Sequence, residues 1–426
     1  MHDIAIKNGR VHTGRTWEAL HVYIKDGHIA ALSCHDEPAK THIDATNRDV
    51  LPGLIDPHVH FELDLGDAVS VDDFAGGSHA ALHGGITTVI DFLDPTDTIE
   101  ALKAAHKRRK KQAEKSLVDV RFHATLKAPK CDLEAYVKTV KALGMHSIKV
   151  FTTYSESNRR TDDIAIATLL RLTKAYDFTL VVHAERDERI VHDASFTHKD
   201  LPISRPEVAE MEAALTLAEM VRATGGRAYM VHTSSGRTVE MLKTRAADLL
   251  NKTLFLETCP QYVLFNDERL RDEQGKRFTF APPLRDEAAR KKLLAHADAL
   301  YAFGTDHCAF HLNDKDKPRL SDIPLGIGGV EFSYAVMNLM VGDNVVNRMS
   351  RRVAELFHID GKGIIATGAV ADVAVFDPTP QVVENHHGNA DYSVYTGETV
   401  SGHFTDVIHH GVVKLRDGKL VLKEDA

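Results

Sequence analysis

Eight apolar, β-branched runs alternate with helical stretches through the middle of the chain. No other feature restricts the fold as much. The runs span 54–61, 86–92, 118–126, 147–154, 179–185, 228–234, 254–262 and 299–307. Between them, 163–176, 206–224 and 285–297 carry clear helical periodicity. Strands that are apolar on both faces and separated by helices predict a buried parallel sheet with crossover helices. Eight such units in roughly 310 residues fit a (β/α)8 barrel. A doubly wound open sheet is the alternative, but no glycine-rich dinucleotide loop follows an early strand. Both ends of the chain instead alternate apolar and polar residues, as in IAIKNGRVHT and TDVIHHGVVKLRDGKLVL. Asn8-Gly9, Asp26-Gly27 and Asp417-Gly418 read there as hairpin turns. Two β-rich ends around a long middle predict one small domain built from both termini.

Composition narrows the partners. Lysine and arginine total 52 against 61 acidic residues, a net charge of −9. An acidic balance argues against a nucleic-acid binder, because phosphate recognition needs a positive field. No apolar run is long enough for a membrane span. The N-terminus, MHDIAIKNGR, has no apolar signal region. Cys34, Cys131, Cys259 and Cys308 are scattered with no CxxC pair, so neither a zinc ribbon nor a disulfide framework is expected. The expected compartment is the cytoplasm. The basic run at 103–115 reads as the solvated face of an outer helix.

The chemistry gathers at the ends of the runs. The first ends in Asp56-Pro57-His58-Val59-His60, and two histidines two apart on a strand point to the same side. Lys149 lies in the fourth run, His183 ends the fifth, His232 the sixth and Asp306 the eighth. Barrel enzymes assemble their sites at this C-terminal face. One histidine in an apolar strand is ordinary. Four, with a lysine and an aspartate at the same end of different strands, point to a metal site, since lone charges there are costly to bury. Imidazole and carboxylate suit Zn2+, with Mn2+, Co2+ and Fe2+ as the other candidates. Burial and positive neighbours favour the free amine of Lys149. A free amine can add carbon dioxide and become a carbamate able to bridge two metals.

At these residues the chain resembles the amidohydrolase superfamily, and within it the cyclic amidohydrolases of the dihydropyrimidinase and hydantoinase type. The stretches that carry the likeness include LPGLIDPHVHFE, SVDDFAGGSHAALHGGITTVIDF, IKVFTTY, VVHAE, YMVHTSS, LETCPQY, FAPPLR, GTDHCAF and DYSVYTGETVSG. The resemblance covers nearly the whole chain. It implies an α/β fold: a (β/α)8 TIM barrel over 51–366, with a small β-sandwich formed by 1–50 and 367–426. It implies two divalent metals, one held by His58, His60 and Asp306 and the other by His183 and His232, with carbamylated Lys149 and a hydroxide bridging them. Asp306 would act as general base and then acid, and Tyr154 would donate to the developing oxyanion. Backbone atoms at Ala281 and Leu325 would hold the substrate amide. His307 and Cys308 are expected at the rim and not as ligands.

The substrate implied is a small cyclic amide or imide, and the assembly a homo-oligomer, dimer or tetramer. Dihydroorotase and allantoinase share the metal centre. They usually carry arginine two residues after the second histidine, where this chain has Glu62. An acidic side chain there would repel dihydroorotate. The asparagine that dihydroorotases use after the second strand is also missing, with DFLDP in its place. Both features favour a dihydropyrimidine or 5-substituted hydantoin. A catalytically silent relative acting as a scaffold is the third reading. Silent members have lost metal ligands, and here all six positions are filled.

Overall fold

The computed structural model describes residues 1–66, 68–342 and 344–421. Eight parallel strands follow one another in chain order: β1 (Leu54–Val59), β2 (Ile86–Phe92), β3 (Asp119–Thr125), β4 (Ser147–Phe151), β5 (Thr179–His183), β6 (Ala228–Met230), β7 (Leu254–Thr258) and β8 (Ala302–Phe303). The circle closes through a parallel bridge between Val59 and His307, and the His60 N–H donates to the His307 carbonyl at 2.8 Å. This is a (β/α)8 barrel. Successive strand residues point alternately outward and inward. Leu54, Val89 and Leu180 pack outward against the helices, while Ile55, Ile90 and Val181 fill the barrel with Tyr229 and Phe357. That double burial is why the runs are apolar throughout.

Helices α1 (Phe74–His83), α2 (Ile99–Gln112), α3 (Leu133–Ala142), α4 (Asp163–Tyr176), α5 (Glu207–Thr224), α6 (Gly236–Arg245) and α7 (Glu287–Ala295) form the outer layer. Most begin behind a side-chain cap. Asp73, Thr98, Asp132, Asp162, Ser235 and Asp286 each accept from a backbone N–H of the first turn, worth about 1 kcal/mol apiece. α5 starts behind Pro206 and stops at Gly225, whose φ is 63°, a conformation that favours glycine. Among the described residues, no helix is long and apolar enough to cross a membrane.

The two ends meet in paired sheets. One sheet runs in the order 28–33, 21–25, 2–7, 39–44, and the other 419–420, 412–416, 403–409, 373–377, 49–52, 10–12, 17–19. The second sheet interleaves both termini, with Val375 opposite Val50. Ile4, Ile24 and Ile43 of the first sheet share an apolar core with Val50, Val373 and Ile408 of the second.

Three expectations change. Asp26-Gly27 and Asp417-Gly418 turn hairpins, but Asn8-Gly9 does not. Strand 2–7 pairs with 21–25 and 39–44, whereas 10–12 pairs with 17–19 and 49–52. Asn8, at φ 65°, carries the chain from one sheet to the other. The sixth and eighth barrel strands are also shorter than their apolar runs, because the chain leaves strand geometry before His232 and Asp306 (φ 40° and 53°). Finally, the basic run on α2 is not wholly solvated. Arg109 is only 2% exposed and pairs with Asp91 at 2.6 Å. It also donates to the carbonyls of Phe61 and Glu62.

Candidate metal centre

All nine residues singled out from the sequence line one cavity of about 350 Å3 at the C-terminal mouth of the barrel. β1 and the turn after it deliver His58 and His60, whose Nε2 atoms lie 3.1 and 3.2 Å from the same oxygen, Oδ1 of Asp306. β5 delivers His183, and the turn after β6 delivers His232. Nδ1 of His183 is 2.9 Å from Nε2 of His232. Lys149, from β4, is 2% exposed, and its Nζ lies 5.1 Å from the Phe92 ring and 5.3 Å from the Phe151 ring. Tyr154, Ala281 and Leu325 stand around the same space.

Buried carboxylates behind the rings set which nitrogen faces the cavity. Nδ1 of His58 is 2.7 Å from Oε1 of Glu257. A carboxylate only accepts, so this ring donates from Nδ1, and its Nε2 is the nitrogen that faces the cavity and would meet a metal in place of a proton. Nε2 of His183 is 2.7 Å from Oε2 of Glu185, which leaves its Nδ1 lone pair facing His232. Glu257 also accepts from Tyr229 Oη and from the His232 backbone N–H, and Glu185 pairs with Arg205. These outer partners were not singled out from the sequence. Their signal was a carboxylate inside an apolar strand run, in LETCPQY and VVHAE, where burial without partners would be costly.

The charges follow from burial and neighbours. Burial takes His60 down to about 4 and holds His232 well below the usual histidine range, with His183 adding to the effect. At His58 burial also pulls downward, but Glu257 and Asp306 together outweigh it and lift the ring to about 9. Burial opposes ionisation of Asp306, yet the His58 and His60 rings hold its carboxyl well below the ordinary value. Burial lowers the Lys149 amine to about 8 and raises the Tyr154 phenol to about 12.

The donor set fits divalent metal ions. The facing nitrogens of His183 and His232 are close enough to need a proton or a cation between them. His58 and His60 converge on one carboxylate oxygen. The buried Nδ1 of His232 and Nδ1 of His60 have no hydrogen-bond partner among the described residues. His58, His232 and Asp306 place one ligand atom each within 4.8 Å of one another. Tyr154, His232 and Asp306 all have positive φ (71°, 40° and 53°), and such backbone strain collects at functional sites.

Two expectations about neighbouring residues are corrected. His307 is not a rim residue, whereas Cys308, although also buried, lines the cavity. They are 3% and 4% exposed, and His307 Nε2 meets Asp72 Oδ2 at 2.8 Å while its Nδ1 accepts from the Gly329 N–H. Their burial follows from the barrel closing through His307. Glu62 does not line the cavity. It sits at φ 50°, turned out of the strand, and Asp64 lines the cavity instead, as do Glu156 and Arg159.

Residues 50–420 match the amidohydrolase family. The chain is 32% identical to a D-hydantoinase of Geobacillus stearothermophilus, over 98% of this chain and 94% of that protein. It is 30% identical to a D-phenylhydantoinase of Escherichia coli K12, over 97% and 95%. Among solved structures it resembles a D-hydantoinase, with a TM-score of 0.92, 29% identity, and 99% and 96% of the two chains covered. A dihydropyrimidinase from Brevibacillus agri NCHU1002 gives a TM-score of 0.92 at 27% identity, over 99% and 96%.

Proposed function

The chain belongs to the amidohydrolase family, and from that membership we propose that it opens small cyclic amides as a metal-dependent hydrolase of the hydantoinase and dihydropyrimidinase type. The observation that carries this reading is the convergence of four imidazoles, one carboxylate and one buried lysine on a single cavity. His58, His60 and Asp306 would hold one divalent ion, and His183 and His232 the other. Lys149 would supply bridging oxygens as a carbamate: its nitrogen bonds to carbon dioxide, loses a proton and becomes an N-carboxylate. Zn2+ is the ion the donor set favours. When bound, the metals polarise the amide carbonyl and make water a nucleophile at neutral pH.

The rest is the work of side chains. Asp306 takes the proton of the attacking water and delivers it to the leaving ring nitrogen. Tyr154 stays protonated at neutral pH and donates to the carbonyl oxygen as it gains charge. The backbone at Ala281 and Leu325 positions the amide. Leu63, Leu65, Phe92, Phe151 and Ile323 give the cavity an apolar lining suited to a ring with a 5-substituent. Residues 51–366 would form the catalytic domain, and 1–50 with 367–426 the supporting sandwich. Four unpaired cysteines suit a reducing cytoplasm. Kinship with the hydantoinases supports a dimer or tetramer, which sedimentation velocity would decide.

A hydrolysis panel on zinc- and manganese-loaded protein tests the reading. It should contain dihydrouracil, hydantoin, 5-substituted hydantoins, dihydroorotate and allantoin. A dihydropyrimidine or 5-substituted hydantoin is expected to turn over fastest. Dihydroorotate or allantoin as the best substrate would shift the assignment to those relatives, and no hydrolysis with near-zero bound metal would sink it.

A further inference from the structure

The chain holds 26 histidines, and the candidate centre uses four. Two others, His409 and His410, meet Asp119 at the opposite end of the barrel. Asp119 is the first residue of β3, whereas Thr125, the last, lines the cavity of the candidate centre. The strand between them puts the two places about 20 Å apart. His409 ends the terminal-sheet strand His403–His409, and neighbours along a strand point to opposite faces. His410 departs from that rule because its φ is 50°. Its backbone N–H donates to Asp372 Oδ1 at 2.7 Å, which fixes the turn. The two rings stand side by side, with centroids 4.4 Å apart and planes at 62°. Both reach one carboxylate: Nε2 of His410 is 2.9 Å from Asp119 Oδ2, and Nε2 of His409 is 3.4 Å from Oδ1.

Asp119, His409 and His410 place one ligand atom each within 4.8 Å of one another. In a tetrahedral site with metal–nitrogen bonds of about 2.0–2.1 Å, neighbouring ligand atoms are about 3.4 Å apart. The spacing around Asp119 is close to that. His409 adds a separate observation. Its side chain is only 9% exposed, and its Nε2 is buried with no hydrogen-bond partner among the described residues. Buried polar atoms are nearly always partnered, so a nitrogen that faces a carboxylate without bonding to it marks a place for a cation.

Lys362 is the cation already present, and it does not fill this place. Its ammonium is shared among Asp119 Oδ2, Asp372 Oδ2 at 2.7 Å and Thr88 Oγ1 at 3.0 Å. Oδ1 of Asp119 faces His409 instead. Two carboxylates against one ammonium leave one negative charge in excess, which offsets the repulsion between that ammonium and a second cation. Burial opposes ionisation of Asp119, but His409 and Lys362 hold its carboxyl well below the ordinary value. The carboxylate is therefore an anionic ligand at neutral pH.

We propose that Asp119, His409 and His410 form a zinc site at the junction of the barrel and the terminal sheets. Two imidazole nitrogens and one carboxylate oxygen are donors that Zn2+ takes readily. The His410 side chain is 49% exposed, so water completes the coordination from the solvent side. The N-terminal face of a barrel serves stability, and the C-terminal face serves chemistry. The ion is accordingly structural: it ties β3 to the sheet that interleaves both termini.

The test uses the full chain, without a histidine tag and with its barrel metals in place. Bound metal is counted after dialysis against buffered micromolar Zn2+, in wild type and in the His409→Gln/His410→Gln double variant. The wild type is expected to hold one more ion per chain than the variant, with hydrolysis rates equal. The readout is that difference, so it does not depend on how many ions the barrel holds or on which ring is hydrolysed. Trp17 lies in the terminal sheet, and the extra ion should raise its thermal transition by several degrees in wild type and leave the variant unmoved. His410→Gln, an exposed change, should weaken the extra ion by about tenfold or more. Equal metal content in wild type and double variant would overturn the proposal and leave the two imidazoles as proton-bearing partners of Asp119. An unmoved Trp17 transition in wild type would overturn the structural role. If the double variant fails to fold, unchanged affinity in His410→Gln would overturn the site instead.

Discussion

At the scale of single residues, the centre depends on groups of two kinds. His58, His60, His183, His232, Lys149 and Asp306 face the cavity, while Glu257 and Glu185 orient rings from behind. Glu257→Gln keeps the shape and removes the charge. It is expected to weaken metal binding by about 10–100-fold, measured by competition with a chelator, and wild-type affinity would show that the carboxylate is dispensable. Tyr154→Phe should lower turnover by about 10²–10³-fold while metal content stays constant. Unchanged turnover would remove Tyr154 from the oxyanion role. Lys149→Ala should release metal and abolish hydrolysis, and retention of both metals with full rate would exclude the carbamate. The cavity-facing set was legible in the sequence because charged and imidazole side chains interrupt apolar runs at matching places. The place of Glu62 was not legible from the likeness alone, because two residues past His60 the chain has left the strand and its φ is 50°, so position in the motif does not tell where the side chain points.

At the scale of elements, the barrel strands and helices were predictable because each must satisfy its own periodicity and its own caps. What the pattern hid was the use of a helix to hold a neighbouring turn. Arg109 on α2 reaches Asp91 on β2 and the carbonyls of Phe61 and Glu62 just after β1. Asp91 in turn accepts from the Phe61 N–H at 2.8 Å. The ion pair thus fixes the turn that follows His58 and His60. Removing one partner of a buried pair leaves an uncompensated charge, at a cost of about 3–5 kcal/mol. Arg109→Ala should therefore shift the urea midpoint downward by a corresponding amount and raise KM or metal loss along with it. A variant of wild-type stability would place Arg109 among the solvated charges, as the basic run alone suggested. A lysine- and arginine-rich helix face gives no sign of which arginine turns inward, because that depends on where an aspartate from another strand lies.

At the scale of the whole molecule, the barrel and the terminal sheets are joined by buried charge. The Lys362 ammonium meets Thr88 and Asp119 at the starts of β2 and β3, and Asp372 just before the strand Val373–Asp377. The single tryptophan, Trp17, lies in the terminal sheet, so its fluorescence follows that part of the molecule. Lys362→Met should separate the two parts on heating. The Trp17 transition would move down by several degrees while loss of hydrolytic activity moves less, and coincident transitions at the wild-type temperature would show that the charge cluster does not couple them. By itself the sequence determined the barrel, the β-rich partnership of the two ends and the face on which the histidines, Lys149 and Asp306 collect, since periodicity and burial are properties of consecutive residues. Only the tertiary structure decided that Asn8-Gly9 passes between sheets, that His307 is buried and Glu62 lies outside the cavity, and that Glu257, Glu185 and Arg109 stand behind the site. Each of these depends on contacts between residues far apart in the chain, and local propensity carries no information about which distant partner a side chain will find.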